Sequence, residues 1–203
     1  MKYTLTALIL SLGLTASIPA LAELKSLVPE TATESTNYAS MSVPDLQTAA
    51  QAGNVRAQFF LASHYKYGRG VQQDLTQAFN WYLKAAQQGA APAQLNVGQM
   101  YAEGKGVTAD MNQAKYWFGK AAKQGDNRAS YNLALIEERS QNLANAYQWY
   151  DLSARDGMLD QRIKDKAQGK IRTLAANLSQ QDIQDAKNRA DRWIQTDDGT
   201  SGQ

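Results

Sequence analysis

The side chains able to do chemistry are few, and they do not gather. His64 is the only histidine, with Ser63 directly before it. A nucleophile and its base must face each other within hydrogen-bond reach, whereas adjacent helical positions diverge by about 100°. His64 therefore reads as a surface or groove side chain. Glu137-Glu138 and Asp197-Asp198 are paired acids. Glycoside hydrolysis needs two carboxylates facing each other across a cleft, and neighbouring positions on one helix do not do so. Both pairs read as solvated charge. Gly68-x-Gly70 and Gly104-x-Gly106 are spelled like phosphate loops, but such a loop follows a strand and opens a helix directly. Here the glycines follow an apolar helical stripe, so they read as turns. The chain has no cysteine, which excludes disulfides, thiolate metal sites and a cysteine nucleophile. The expectation is a protein that is not an enzyme, with no catalytic residue, no metal and no cofactor.

Charge narrows the partner class. Lysine and arginine number 21 against 19 aspartates and glutamates, a balance that lacks the basic stripe of a nucleic-acid binder. Residues 1–22 read as a cleaved signal peptide: Lys2 is a positive start, Leu5 to Leu14 is an apolar run, and Pro19-Ala20-Leu21-Ala22 puts small residues at −3 and −1 before Glu23. That run is too short to span a bilayer, and no later stretch is apolar enough, so no membrane insertion of the mature chain is expected. The signal looks bacterial and directs the protein to the periplasm or beyond. Residues 23–43, rich in Thr, Ser, Glu and Ala, read as a flexible linker.

The elements that must position everything else are repeats. Gly53, Gly89 and Gly125 stand 36 residues apart, and the same shift pairs Ala57 with Ala93, Tyr65 with Tyr101, Gly68 with Gly104, Asp74 with Asp110 and Trp81 with Trp117. Ala57, Leu61 and Tyr65 fall on one face of a first helix, which a glycine turn ends. Asp74 with Gln77, and Asp110 with Gln113, predict capping boxes that open a second helix. Ala78, Trp81, Tyr82, Ala85 and Ala86 form its apolar stripe, and the recurrence of tryptophan at 81, 117 and 149 indicates core packing. The division is a half-repeat over 44–52, repeats over 53–88 and 89–124, a degenerate third over 125–157 without the Gly-x-Gly turn, cap helices over 158–196 and a disordered tail over 197–203. Asn142 or Asn145 is expected to cap the second helix of the third unit. Ser179 with Asp182 resembles a weak capping box, and Trp193 is expected to anchor the last helix.

First-helix positions pointing away from the Ala57-Leu61-Tyr65 face are the candidate contact surface. They are Arg56, Phe59, Phe60, Ser63 and Tyr67 in unit one; Pro92, Leu95, Asn96, Gln99 and Glu103 in unit two; and Arg128, Tyr131, Asn132, Leu135 and Arg139 in unit three. Phe59, Leu95 and Tyr131 recur as apolar, which fits either partner anchors or packing between units. Arg56, Tyr67, Glu103 and Arg139 vary between units and are the better candidates for specificity.

The unit Ala57-x3-Leu61-Ala62-x2-Tyr65-x2-Gly68-x-Gly70-Val71-x2-Asp74-x3-Ala78-x2-Trp81-Tyr82-x-Lys84-Ala85-Ala86-x2-Gly89 closely resembles the Sel-one-like repeat (SLR) family, relatives of the tetratricopeptide repeats. The resemblance implies an all-α fold, a short right-handed α-solenoid of antiparallel helix pairs with helical caps. It also implies that the candidate surface lines a concave groove that binds a protein or peptide, in a scaffold or regulator that is a monomer. A secreted factor acting on host or neighbouring cells is the alternative. Some cysteine-rich exported members are described as β-lactamases, but this chain lacks their cysteines and is expected to carry no Ser-x-x-Lys on a helix, so a β-lactamase-like enzyme is the less favoured alternative.

Overall fold

The computed structural model describes residues 37–155 and 160–195, and all regular structure among them is helical. The helices are α1 (Val43–Gln51), α2 (Val55–Tyr67), α3 (Leu75–Gln87), α4 (Ala91–Glu103), α5 (Met111–Lys123), α6 (Asn127–Arg139), α7 (Leu143–Ala154), α8 (Gln161–Ala175) and α9 (Gln180–Gln195). The pairs α2/α3, α4/α5 and α6/α7 are the repeat units, and each second helix packs on the first helix of the next unit. The result is a short right-handed α-solenoid, as expected. The signal segment, the tail and the Asp197-Asp198 pair lie outside the described residues, as does Gly157.

Small side chains set the helix spacing. Ala57, Ala93 and Ala129, one per first helix, are fully buried, and at a helix–helix contact alanine lets the backbones close while aromatics fill the gaps. Gly98 takes this further. A Cβ there would lie 2.6 Å from the Phe118 ring, so glycine alone admits the ring at that depth. Gly68 and Gly104 end α2 and α4 in the left-handed conformation, φ 66° and 67°, where lack of a Cβ removes the penalty.

The expected capping boxes form only by half. Asp74 and Asp110 accept from the amides of Gln77 (2.9 Å) and Gln113 (3.0 Å). Their own N–H groups donate to the Tyr65 and Tyr101 carbonyls, both at 3.0 Å, so the reciprocal glutamine bond has no free donor to satisfy. The Ser179–Asp182 pair, by contrast, closes both ways: the Asp182 amide donates to Ser179 Oγ (3.1 Å) and the Ser179 amide to Asp182 Oδ2 (3.3 Å).

Glutamine amides stitch the regular units together. Gln58 and Gln94, both buried, donate to the Ala50 and Ala86 carbonyls at 3.2 Å. Gln88 and Gln124 at the ends of α3 and α5 then donate to Gln58 Oε1 and Gln94 Oε1, both at 2.8 Å. The ladder keeps the same 36-residue spacing as the glycines, so the sequence carried its signal.

Three expectations are corrected. The flexible linker was drawn to residue 43, yet Tyr38, Met41 and Val43 pack against Leu46, Ala50 and Leu61, and Tyr38 Oη accepts from Asn54 Nδ2 at 2.8 Å. An aromatic with a partner for both ring and hydroxyl is held in place, so packing begins before α1. Glu137 and Glu138 are not solvated charge: Glu137 accepts from Lys115 Nζ (2.6 Å), and Glu138 from Lys170 Nζ (2.8 Å) and the Tyr150 hydroxyl (2.5 Å). They diverge by one helical step, so one carboxylate meets α5 and the other meets α7 and α8. Asn142 stands at the start of α7, but its side chain makes no cap bond and donates instead to Glu137 Oε2 at 2.9 Å. The tight turn before it places Gln141 at φ 60°, a left-handed position filled without glycine.

The end of the stack is closed as expected. Trp193 meets Trp149 edge to face at 4.8 Å. Arg155 bridges Asp151 and Asp191, both at 2.7 Å, tying α7 to α9.

A groove along the first helices

The face of α2, α4 and α6 opposite their buried alanines carries two cavities. One, of about 370 Å³, is lined by Val55, Arg56, Phe59, Phe60, Ala90 and Pro92, and lies between the beginnings of α2 and α4. The other, of about 210 Å³, lies between the final turns of α4 and α6; Gln99, Ala102 and Glu103 face Asn132, Leu135, Ile136 and Arg139, with Met111 and Phe118 behind. Candidate residues from separate units are thus brought together pairwise, unit one with unit two and unit two with unit three.

Not every candidate serves the surface. Leu95 is 4% exposed and packs with Phe118 and Leu133. It is core, because α4 turns that edge toward α5 and α6. Tyr131 is half-buried edge-on against Tyr150, with ring centroids 5.3 Å apart. Phe59 stacks similarly on Tyr82 at 5.4 Å, but its ring also lines the first cavity. Arg128 is committed to the buried Asp126, at 2.6 Å. Tyr67 is 56% exposed with the Arg69 guanidinium 4.9 Å from its ring centre. Asn96 accepts from Lys66 Nζ at 2.8 Å, linking α2 to α4.

One change of residue alters the polar groups at the second cavity. In unit one Ser63 hydrogen-bonds the Tyr82 phenol, whose burial pushes its pKa up to about 12. The phenol position is Phe118 in unit two, so Gln99, which stands where Ser63 does, has no hydroxyl to meet. Among the described residues nothing hydrogen-bonds the side-chain amides of Gln99 or Asn132, and no carboxylate pairs with Arg56 or Arg139. Glu103, in contrast, pairs with Lys105 at 2.7 Å. The groove therefore presents free amides and two uncompensated guanidinium groups.

The expected absence of a helical Ser-x-x-Lys is corrected: Ser63 and Lys66 have that spacing on α2. Each is engaged elsewhere, Ser63 by Tyr82 and Lys66 by Asn96. His64 likewise serves structure: Nδ1 donates to the Arg69 carbonyl at 2.5 Å and tightens the turn after α2. No group of three or more metal-ligating side chains occurs among the described residues. Sequence reasoning missed the cavity walls supplied by Val55, Ala90, Ala102, Met111 and Ile136. Their apolar character was visible, but helical angle alone gave no sign that neighbouring helices would leave space at these points.

The Sel1 repeat model matches residues 55–89, 91–126 and 128–158, just over half of the chain. The chain belongs to the Sel1 repeat family. The crystal structure of a Sel1 repeat protein from Oxalobacter formigenes is 33% identical, with a TM-score of 0.52, and the match covers 63% of this chain and 97% of that one. The structure of c5321, a protective antigen of uropathogenic Escherichia coli with an SLR fold, is 25% identical with a TM-score of 0.46, covering 75% of this chain and 40% of that one. No curated protein matches. The third matched repeat is the shortened unit, so Gln141 and the ion pairs around it are this chain's departures from the repeat consensus of its first two units. A Sel1 repeat scaffold fits a role in protein interaction. No helix among the described residues is long and apolar enough to cross a membrane.

Proposed function

We propose that this Sel1 repeat protein is an exported, non-catalytic scaffold or regulator that captures a protein partner in the groove along α2, α4 and α6. The carrying observation is the division of labour on the first helices. Positions shared by all units, such as Ala57, Ala93 and Ala129, are buried, while the varying Arg56, Glu103 and Arg139 line two cavities and the varying Tyr67 is exposed. A rigid stack of helix pairs that presents varied side chains on one concave face is suited to holding a peptide segment or a domain. Export rests on the charge and apolar pattern of residues 1–22 and on Ala20 and Ala22 before Glu23.

Arg56→Glu together with Tyr67→Ala is expected to weaken capture of a native partner in crosslinked extracts without lowering the melting temperature. Capture unchanged by this pair would remove the groove assignment. Export is checked separately by the intact mass of the protein in periplasm and medium, where loss of residues 1–22 is expected.

A further inference from the structure

We infer that the groove takes an extended acidic peptide, held by an apolar side chain in the cavity beside Phe59 and Pro92 and by a carboxylate at Arg139. The inference rests on the groove reading above and adds the chemistry of the partner. The two cavities differ in kind. The first is walled by Val55, Phe59, Phe60, Ala90 and Pro92, with Arg56 the only charged residue among those that line it. A half-open recess of about 370 Å³ with walls of that kind suits a large aliphatic or aromatic side chain. The second places Arg139 beside the amides of Gln99 and Asn132. Free side-chain amides match the N–H and C=O of an extended backbone, and a free guanidinium in a half-enclosed site matches a carboxylate.

Charge complementarity selects the sign of the partner. On the groove face Arg56 and Arg139 have no carboxylate partner among the described residues, and Lys66 adds a third cation held by a neutral amide and by the Tyr67 and Tyr82 rings. The one acidic residue lining the cavities, Glu103, is compensated by Lys105 at 2.7 Å, and Arg128 by Asp126. A basic segment would meet two like charges and no open acid, while an acidic one would meet both arginines. A second copy of this chain is a poorer occupant, since a nearly neutral surface with 21 basic and 19 acidic residues offers no concentrated complement.

The spacing follows from helix geometry. The cavities sit about ten residues apart along α4 and one helix apart across it, which at ~1.5 Å per residue and ~9 Å between axes is roughly 17 Å. An extended chain advancing ~3.3 Å per residue covers that in about five residues.

The test uses the full chain and fluorescently labelled Gly-Ser dodecapeptides carrying one Phe and one Glu, in both orders, two to eight residues apart. Fluorescence polarisation is expected to show tightest binding at separations of about four to six, and loss of about tenfold when Lys replaces Glu, the size of one steering charge pair. Arg139→Ala should erase the preference for Glu over Lys and keep the need for Phe. Pro92→Asp should erase the need for Phe and keep the preference; an acid in the first turn of α4 is compatible with helix stability, and unchanged melting curves confirm the fold. Equal binding of Lys peptides, indifference to spacing, or no binding at millimolar peptide would each overturn the inference. So would sedimentation showing that the chain itself fills the groove as a dimer. If Arg56→Glu with Tyr67→Ala still blocks a native partner while acidic peptides fail, the groove stands and only the acidic assignment falls. If neither responds, both fall.

Discussion

From α2 to α5 the chain turns at glycines and ties its units with neutral amides, whereas from α6 onward equivalent junctions are made with charge. Gly68 and Gly104 end the first helices of the regular units, but Gln141 takes the left-handed position in the third. The Gln58–Ala50 and Gln94–Ala86 bonds join each regular unit to the one before it, and the Gln58–Gln88 and Gln94–Gln124 bonds close each unit on itself. In the third unit the corresponding position is Ser130, and the work passes to Lys115–Glu137, Lys170–Glu138 and Arg155 between two aspartates. A neutral amide ladder is indifferent to pH and salt, while half-exposed ion pairs depend on both. One short array thus ties its N-terminal units by polar contacts that ignore protonation and its C-terminal ones by polar contacts that respond to it, over a buried apolar core in both.

The comparison breaks most severely at the glycine turn. Gly106, at φ 73°, leaves no room for a Cβ, which would run into the Leu75 carbonyl. Gly106→Ala is expected to cost about 3 kcal/mol, from left-handed strain plus overpacking, seen in thermal melts as a drop of roughly 10 °C. Next is the ladder. Gln94→Ala leaves the Gln124 amide without its Gln94 partner and should cost about 1–3 kcal/mol in urea unfolding, independent of pH between 5 and 8. A like cost in Ser130→Ala would mean the ladder is not special to the regular units.

Protonation sharpens the other half. Burial opposes the charge on Glu137, but the hydrogen bonds from Lys115, Asn142 and Asn145 outweigh it and hold the carboxyl below its ordinary value; for Glu138, burial is similarly outweighed by Lys170 and Tyr150. A carboxyl depressed in the folded state contributes stability above its unfolded pKa, about 4.3, and loses it as pH falls through the lower folded value. Glu137→Gln is therefore expected to cost about 1–2 kcal/mol at pH 7 and to flatten the loss between pH 5 and 3. An acid profile identical to the parent's would reassign the sensitivity elsewhere. The smallest effect is a gain. Gln141→Gly relieves the left-handed strain and should stabilise by about 0.5–1 kcal/mol after its own entropy cost.

The sequence by itself determined the repeat, the helix pairs and the buried faces, because 36-residue identities and helical periodicity are local properties that survive any packing. It even carried the glutamine ladder, spelled at Gln58/Gln94 and Gln88/Gln124, to a reader counting polar residues as well as glycines and aromatics. It did not separate Leu95, which is core, from Phe59 and Pro92, which line a cavity. The reason is that helical angle fixes where a side chain points, while its exposure depends on what the next helix brings up against it. Nor did it show that Glu137 and Glu138 part toward different helices, or that Phe118 leaves Gln99 without a partner. Those outcomes depend on contacts across 22 to 32 residues of chain, such as Lys115 with Glu137 and Lys170 with Glu138. Only the stacked structure brings such groups within a few ångströms, and their energy falls off over that same distance.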